Sequence, residues 1–318
     1  MRTKAKKVLP SFVWNQLRKI KMACSKPLQK TLELAGYTVA QKNDYYSPLP
    51  AVSQLQRSVG RWNRPSALAG IERDVEQMKG ELLILLSRYL GEFSAFPPYE
   101  QLQKEGFGPG YTSLDALTLY MMIRHFKPKR YIEVGSGLST YYCSLAGKKN
   151  ASEGFPLDII CIEPYPCQKL YTVAGIKVIS KEVQDVEISL FQQLRENDVL
   201  FIDSTHIVRI DGDVPFLYLE VLPLLNVGVV IHIHDVPFPY NFPYPPELFI
   251  FGNTWPMFWN EAMILQAFLC FNDKFKVEMS TPLIRYTDEA FLKANIPIYQ
   301  SINQNPNTFS SIWLKRVA

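Results

Sequence analysis

The chain has 318 residues, of which 47% are hydrophobic and 20% charged, with 34 Lys and Arg against 30 Asp and Glu. This composition excludes a disordered chain and suits one large domain, or one domain with an appendage. No apolar run reaches about 18 residues and the N-terminus lacks a signal-peptide core, so we expect neither a transmembrane helix nor secretion. Five cysteines without a CxxC pair indicate a reduced, cytoplasmic protein.

A basic head opens the chain. Residues 1–32 hold nine Lys and Arg and no acidic residue, which leaves 25 basic and 30 acidic residues in the remainder. Within this head, apolar side chains of segment 11–24 recur at helical spacing opposite Arg18, Lys19 and Lys21. Such a segment either makes a peripheral contact with the inner membrane surface, or packs on its own domain or a second subunit. The acidic body and the lack of a reading motif exclude nucleic acid as a partner.

An irregular segment and two predicted helices follow the basic head. Residues 36–70 are rich in Tyr, Pro, Ser and Gly and are predicted to be irregular. Apolar periodicity predicts helices over 71–90 and over 113–126, the second with Ser113 as its N-cap. We therefore divide the chain into a basic amphipathic segment, 1–35, a helical and irregular extension, 36–105, and a main domain, 106–318. The extension would serve as a lid or as a contact in a homodimer.

Beyond residue 130 the pattern alternates between short apolar strands and helices. We predict helices that start at 140 and that span 214–225 and 255–271, and strands over 131–134, 158–163, 176–179, 199–203, 229–234, 274–279 and 310–316. This alternation predicts an α/β fold with a Rossmann-like, doubly wound and mainly parallel sheet. Ligands bind at the carboxyl ends of such strands, where four acidic residues lie: Glu133, Glu163, Asp203 and Asp235.

A glycine turn joins the first strand to its helix. Gly135 and Gly137 let the backbone turn sharply and approach a ligand, and the helix start presents free N–H groups and a positive dipole end. Glu133, two residues before the turn, suits an ammonium group or hydroxyls better than a pyrophosphate. The loop also lacks the third glycine of GxGxxG. S-adenosylmethionine is therefore preferred to NAD as the cofactor.

With these elements placed, the chain resembles the class I S-adenosylmethionine-dependent methyltransferases, and in particular the branch called methyltransferase domain 24. The resemblance covers roughly residues 106–318 and rests on 133–137, Glu163, 201–206, 232–235 and 310–316. It implies an antiparallel last strand after the parallel ones, and methyl transfer to oxygen or nitrogen of a small-molecule, glycan or natural-product acceptor. Two departures are Ser139, where the family often has a third glycine, and an apparent insertion over 148–154.

The resemblance also implies a set of cofactor contacts. The glycine loop would pass under the methionine part, with Glu133 near the ammonium end, and Glu163 would accept hydrogen bonds from both ribose hydroxyls. Gln184 or Asp185 would lie near the adenine amino group, and Tyr111 would cover the carboxylate. The full set of implied cofactor residues is Tyr111, Glu133, Gly135, Ser136, Gly137, Glu163, Gln184, Asp185 and Asp203.

Histidines supply candidates for the chemistry. His206, His232 and His234 lie near the ends of adjacent predicted strands. A protonated acceptor needs a base, and histidine is suited to that role near neutral pH, so His206 and His234 with Asp203 are the predicted catalytic residues. The alternative is a structural histidine bonded to backbone, above all for His232 inside its strand.

A metal site is a second possibility at the same strand ends. Asp203 and Asp235, with His234 or else His206, offer two carboxylates and an imidazole, a set that accepts Mg²⁺ or Mn²⁺. The metal-dependent catechol-type methyltransferases have an asparagine directly after the second acid, where Val236 stands here, so that set is incomplete. Without a metal, the two acids would cap loops or orient a histidine.

Residues 237–259 form a proline- and aromatic-rich stretch on the same edge, which would cover a substrate such as a sugar or pack as a surface loop. Glu261, just beyond it, would reach the site or favour the dipole of its helix, and we prefer the latter.

Two other functions stay open. One is a metal-dependent hydroxylase-like enzyme on the same fold, and the other is a non-catalytic scaffold at a membrane.

Overall fold

The computed structural model of the protein describes residues 26–39, 45–107, 110–299 and 310–318. Over these residues the chain divides into two compact units, with the boundary between Val59 and Gly60. The first unit contains helical residues 26–34 and the helix Val52–Arg57. None of the described helices combines the length and the apolar character needed to cross a bilayer. Segment 11–24 lies outside the described residues, so its membrane or subunit contact stays a prediction, as do the domain limits at 35 and 105.

The second unit contains eight labelled helices and a seven-stranded sheet among its described residues. The helices are α1 Val75–Phe93, α2 Tyr99–Lys104, α3 Ser113–Phe126, α4 Leu138–Ser152, α5 Ile188–Phe191, α6 Asp213–Phe216, α7 Glu261–Leu269 and α8 Thr281–Asn295. The strands are β1 Arg130–Val134, β2 Asp158–Ile162, β3 Ile176–Ile179, β4 Val199–Ile202, β5 Val230–Ile233, β6 Phe275–Ser280 and β7 Ile312–Arg316.

Capping side chains set where the N-terminal helices begin. Asp74 accepts a hydrogen bond from the Gln77 N–H (2.9 Å), so α1 begins at Val75 rather than at residue 71. Thr112, and not the predicted Ser113, caps α3, because its hydroxyl accepts from the Asp115 N–H (3.0 Å).

Prolines explain the two helix predictions that were wrong in extent. The helix expected over 214–225 is regular only in α6 and continues as a π-turn, Leu217–Val221, and a 3₁₀ turn, Leu222–Leu224, since Pro223 cannot donate a helical hydrogen bond. The helix expected over 255–271 begins only at Glu261, beyond Pro256, which disfavours helical geometry in the residue before it. Helix α8 was not predicted, although the Ser280 hydroxyl caps it and Pro282 lies in its first turn.

The sheet has the order β3-β2-β1-β4-β5-β7-β6. Strands β1 to β5 pair in parallel, and β7 runs antiparallel to both β5 and β6. This confirms the predicted α/β fold, with its mainly parallel sheet, antiparallel last strand and preceding helices. The order reverses between β1 and β4, and a ligand crevice is expected at that point, outside the carboxyl ends of these strands.

The ends of β1 and β4 touch at this crevice. Gly135 follows β1 with φ +82°, and a Cβ built on it would lie 1.8 Å from the carbonyl oxygen of Asp203. The Asp203 N–H in turn donates to the carbonyl oxygen of Val134 (2.8 Å). Position 135 therefore excludes any side chain, both for its backbone conformation and for the neighbouring strand.

Replacement of Gly135 should separate these two effects. We expect Gly135→Ala to lower the free energy of unfolding by at least about 3 kcal/mol, since strain and overpacking add. Gly154 is the matched control, because it also has a positive φ (+89°) but nothing lies within 4 Å of its Cβ position. Gly154→Ala should cost only about 1–2 kcal/mol. Urea unfolding measures both, and equal losses would contradict the assigned contact with Asp203.

A buried carboxylate fastens α3 to the sheet. Asp115 is fully buried and accepts hydrogen bonds from the hydroxyls of Ser311 (2.7 Å) and Thr112 (2.8 Å) and from the Nε2–H of His234 (3.3 Å). Burial opposes its ionisation, but the hydrogen bond and the positive charge of His234 outweigh it and lower the pKa of Asp115 to about 2.

This shift predicts an acid dependence of stability. Because the folded pKa is depressed from 3.8 to about 2, the contribution of Asp115 is present above the ordinary pKa and is lost as pH falls through the folded one. Between pH 5 and pH 2 we expect wild type to lose about 2 kcal/mol more than Asp115→Asn. Asp273→Asn, at a side chain that is 89% exposed, should retain the wild-type slope. Parallel urea-midpoint profiles for wild type and Asp115→Asn would contradict the assignment.

Candidate active site

A cavity of about 340 Å³ lies at the carboxyl ends of β1 and β4. It is of the size that small-molecule sites have in proteins. Six of the predicted cofactor residues are among its described lining: Tyr111, Gly135, Ser136, Gly137, Glu163 and Asp203. The structure therefore brings most of the predicted set together at the point where the strand order reverses.

Glu163 is held against the glycine loop. Its carboxylate accepts from the backbone N–H of Ser136 (3.2 Å) and from that of Tyr165 (2.8 Å). The side chain is partly exposed to the cavity. The hydroxyl oxygen of Ser136 is buried without a hydrogen-bond partner among the described residues. The Glu163 carboxylate thus faces this small space, an arrangement suited to a ligand with hydroxyl groups.

Glu133 lies beneath the loop rather than in the cavity lining. It is fully buried, and its carboxylate accepts from the hydroxyls of Ser139 (2.5 Å) and Thr140. Burial raises the pKa of Glu133 to about 7 against these hydrogen bonds. This carboxylate holds the first turn of α4, so a direct contact with the ammonium end of the cofactor is corrected, whereas a contact through water stays a prediction. Ser139, which stands in place of a third glycine, is part of that support.

Gln184 and Asp185 do not line the cavity. They lie in a 3₁₀ turn, Val183–Asp185, and the amide of Gln184 donates to the carbonyl oxygen of Asp211 (3.1 Å). Asp185 is exposed. The structure thus does not bring the two predicted adenine contacts to the site, because this turn directs Gln184 toward the loop that precedes α6.

His206 is enclosed by carboxylates. Its Nδ1 lies 2.8 Å from Glu261, and its Nε2 lies 3.3 Å from Asp203 and 3.5 Å from Asp235. Burial lowers the pKa of His206, but hydrogen bonds to Asp203 and Glu261 prevail and raise it to about 10. At neutral pH the ring is an imidazolium without a lone pair, so the predicted role of general base does not fit this geometry. Glu261 pairs with this ring, and the preference for a dipole role alone was wrong.

His234 cannot reach either the cofactor or an acceptor. It is fully buried, its Nδ1 lies 3.2 Å from Asp203, and its Nε2 lies 3.3 Å from Asp115. Burial disfavours its charge, but Asp203 and Asp235 outweigh burial and raise its pKa well above the ordinary value. Its predicted catalytic and metal-binding roles are therefore corrected to a structural one, which positions Asp203. Sequence reasoning missed Asp115, which gave no local signal of its partner 119 residues away.

His232 is a core residue. It is fully buried and stacks on Trp313, with ring centroids 3.9 Å apart. Burial lowers its pKa well below the ordinary value, so the ring is neutral. The structural role agrees with the alternative considered for His232, but the expected bond to backbone does not, because neither ring nitrogen has a hydrogen-bond partner among the described residues.

Two site residues have left-handed backbones. His206 and Asp235 have φ values of +60° and +55°, which cost energy in residues that carry a Cβ. Backbone hydrogen bonds stabilise both conformations. The His206 carbonyl accepts from the Asn260 N–H (2.9 Å), and the N–H of Val236, the residue after Asp235, donates to the Ser310 carbonyl (2.7 Å). These conformations turn the two side chains toward each other across the crevice.

Among the described residues, three side chains form a candidate cation site. One ligand atom each of Asp203, His206 and Asp235 lies within 4.8 Å of the others. Of the two histidines considered for this site, His206 and not His234 lies with the two acids. Two carboxylate oxygens and one imidazole nitrogen fit a divalent cation such as Mn²⁺, which would replace the proton on Nε2 of His206.

A second, larger cavity of about 1010 Å³ adjoins the first. Tyr111, Asp235 and Trp259 line both cavities. The predicted aromatic and proline-rich stretch contributes part of its wall: Pro237, Pro243, Tyr244, Phe249, Met257 and Trp259. Residues of the helical extension contribute another part: Leu90, Phe93, Phe96 and Tyr99. The site thus has two compartments that meet at a junction formed by Tyr111, Asp235 and Trp259.

Known proteins resemble the chain most clearly over the strands that build this site. Residues 132–236 match a family model described as a methyltransferase domain. A protein of Archaeoglobus fulgidus without a described function is 29% identical over 167 residues, which are 48% of this chain and 72% of the relative.

Similar solved structures include methyltransferases. The S-adenosylhomocysteine-bound methyltransferase PaMTH1 of Podospora anserina is 16% identical, with a TM-score of 0.38 over 86% of this chain and 99% of its own. The O-methyltransferase TomG of Streptomyces achromogenes, in complex with S-adenosylmethionine, is 12% identical, with a TM-score of 0.41 over 78% and 100%. Similarity at this level does not define the site. The match of residues 132–236 to the methyltransferase-domain model confirms the predicted resemblance to the class I methyltransferases.

Proposed function

We propose that the protein transfers a methyl group from S-adenosylmethionine to a hydroxyl oxygen of a small-molecule, glycan or natural-product acceptor. The donor would occupy the smaller cavity and the acceptor the larger one. The observation that carries this proposal is the junction, where Tyr111, Asp235 and Trp259 line both compartments. Methyl transfer requires donor and acceptor atoms in line and in contact, and two cavities that share a wall allow that approach.

The smaller cavity suits the donor in shape and in charge. Glu163 presents a carboxylate to a ribose, and Gly135 and Gly137 line the same cavity. Four carboxylates, those of Asp115, Asp203, Asp235 and Glu261, surround the two imidazoles of His206 and His234. Even with both rings charged, acids outnumber cations in this cluster. The excess negative charge favours a sulfonium ion.

Asp235 is the group placed to receive the acceptor's proton. It is the carboxylate that lines both cavities, and burial raises its pKa above the ordinary value against the effect of the two imidazoles. As the acceptor oxygen bonds to the methyl carbon, the carbon–sulfur bond breaks and its electron pair stays on sulfur. The hydroxyl proton passes to the carboxylate. His206, 3.5 Å away, holds the carboxylate in place.

A divalent cation is compatible with the same residues. Asp203, His206 and Asp235 would hold it through the donor set described above. Such a cation supplies a Lewis acid that lowers the pKa of a bound hydroxyl. In either case Tyr111 and Trp259 exclude water from the junction with their rings, since both side chains line it.

The cofactor assignment predicts a specific loss of binding. In isothermal titration with S-adenosylhomocysteine, we expect wild type to bind in the micromolar range, and Glu163→Ala to bind at least about tenfold more weakly because it lacks a charged hydrogen-bond acceptor. Glu72→Ala, at an exposed residue outside both cavities, should bind as wild type does. Absence of binding to wild type would sink the proposed function. An unchanged affinity for Glu163→Ala would refute the ribose contact alone.

The candidate cation site has its own test, which also addresses the hydroxylase-like alternative. We expect Mn²⁺ to bind one site per chain in a titration followed by electron paramagnetic resonance, and the double variant Asp203→Asn with Asp235→Asn to bind at least about tenfold more weakly. Glu72→Gln is again the control. If wild type and double variant bind Mn²⁺ equally, these residues are not ligands, and activation of the acceptor rests on Asp235 alone.

A further inference from the structure

We infer that the acceptor has a planar, apolar body and an anionic group, and that Arg285 receives that anion in the larger cavity. The inference rests on the proposed function and names the substrate class of the same site. Three observations carry it: the aromatic wall of the cavity, the placement of one arginine in that wall, and the distribution of charge between the two compartments.

The wall of the larger cavity is aromatic over much of its described extent. Its rings come from separate parts of the chain: Phe93, Phe96, Tyr99, Tyr111, Tyr142, Tyr244, Phe249, Trp259 and Tyr299. Tyr244 stacks on Tyr240 at 3.7 Å between centroids, and Trp259 packs on His206 at 4.7 Å. Rings held by such contacts present fixed faces, which favour a planar ligand.

Arg285 is the basic side chain among the described lining residues. It lies in α8, is partly buried, and lines the larger cavity but not the smaller one. Burial lowers its pKa, which means that its charge is held away from water. A guanidinium in such a place interacts strongly with an anion that enters the cavity, and its planar fork matches a carboxylate.

Two carboxylates whose charge acts on Arg285 also bind other groups. They are Asp115 and Glu289. Asp115 accepts from His234 and Ser311, whereas Glu289 pairs with Lys293 (2.9 Å) and accepts from the hydroxyl of Tyr299 (2.9 Å). Since a guanidinium has five N–H donors, Arg285 can keep its protein contacts and still bind a ligand carboxylate.

Charge also sets the orientation of the acceptor. The other charged residues of this wall are Asp235, at the junction, and Glu100, which is exposed. An anionic group is repelled from the junction by Asp235 and Asp203 and attracted to Arg285. The opposite end of the acceptor, which carries the hydroxyl, is thereby directed to the donor. Arg285 is in this sense a specificity-determining residue, and not a participant in the methyl transfer.

The test uses two probes that differ in charge alone. The probes are 3,4-dihydroxybenzoate and its neutral amide, each titrated into the full chain saturated with S-adenosylhomocysteine. We expect wild type to bind the carboxylate at least about tenfold more tightly than the amide, as a charged hydrogen bond provides. Arg285→Gln should abolish this preference, and Arg285→Lys should retain part of it.

Arg88→Gln is the matched control, because Arg88 is exposed and lines neither cavity. It should keep the wild-type preference. Equal affinity of wild type for the two probes, binding of neither, or an undiminished preference in Arg285→Gln would overturn the inference. Saturation with S-adenosylhomocysteine separates the two proposals: failure to bind it would count against the methyltransferase function, whereas its binding without carboxylate preference would count against Arg285 alone.

Discussion

The site depends on the contact between the ends of β1 and β4. Because Gly135 has no side chain, the turn after β1 lies directly against the Asp203 backbone, at the point where the strand order reverses. The same turn presents the Ser136 N–H to Glu163, and Asp203 leads into the loop that carries His206. A side chain at position 135 would separate the two strand ends, and with them the donor-binding loop and the acidic cluster. The glycine therefore acts chiefly within the protein, by setting how closely two loops approach.

Charge pairing determines which of these groups can act chemically. A continuous series of contacts runs from Asp115 through His234, Asp203 and His206 to Glu261. Every imidazole nitrogen in the series faces a carboxylate, so both rings are held as cations and orient acids instead of taking protons. Asp235 lies beside this series and is the carboxylate that lines both cavities among the described residues. Histidine is often chosen for a base because its ordinary pKa is near neutrality, but its neighbours decide whether that pKa survives.

The strands and their acidic ends were predictable from the sequence because buried parallel strands are short apolar runs and their carboxyl ends meet at one edge. The directions in which the side chains point could not be predicted from the sequence. Glu133 and Asp203 both stand at the ends of neighbouring strands, yet Glu133 turns into the core because Ser139 and Thr140 satisfy it there. His234 turns inward for the same kind of reason, since Asp115 in α3 neutralises it. Such partners are distant in sequence, and a strand pattern specifies a face without specifying what covers that face.

The acceptor side was harder to predict because its wall comes from many separate segments. Helix α8 was missed, and Arg285 lies in it. Aromatic residues at helical or loop positions are also common in cores, so their convergence on one cavity has no local signature. Once the cavity is assembled, its charges distinguish the two compartments. Acids surround the junction, and among the described lining residues one arginine lines the wall of the larger compartment only. A cation on the donor and an anion on the acceptor are then drawn to different compartments. Their separation leaves the uncharged, reacting end of the acceptor at the junction, where the methyl group is transferred.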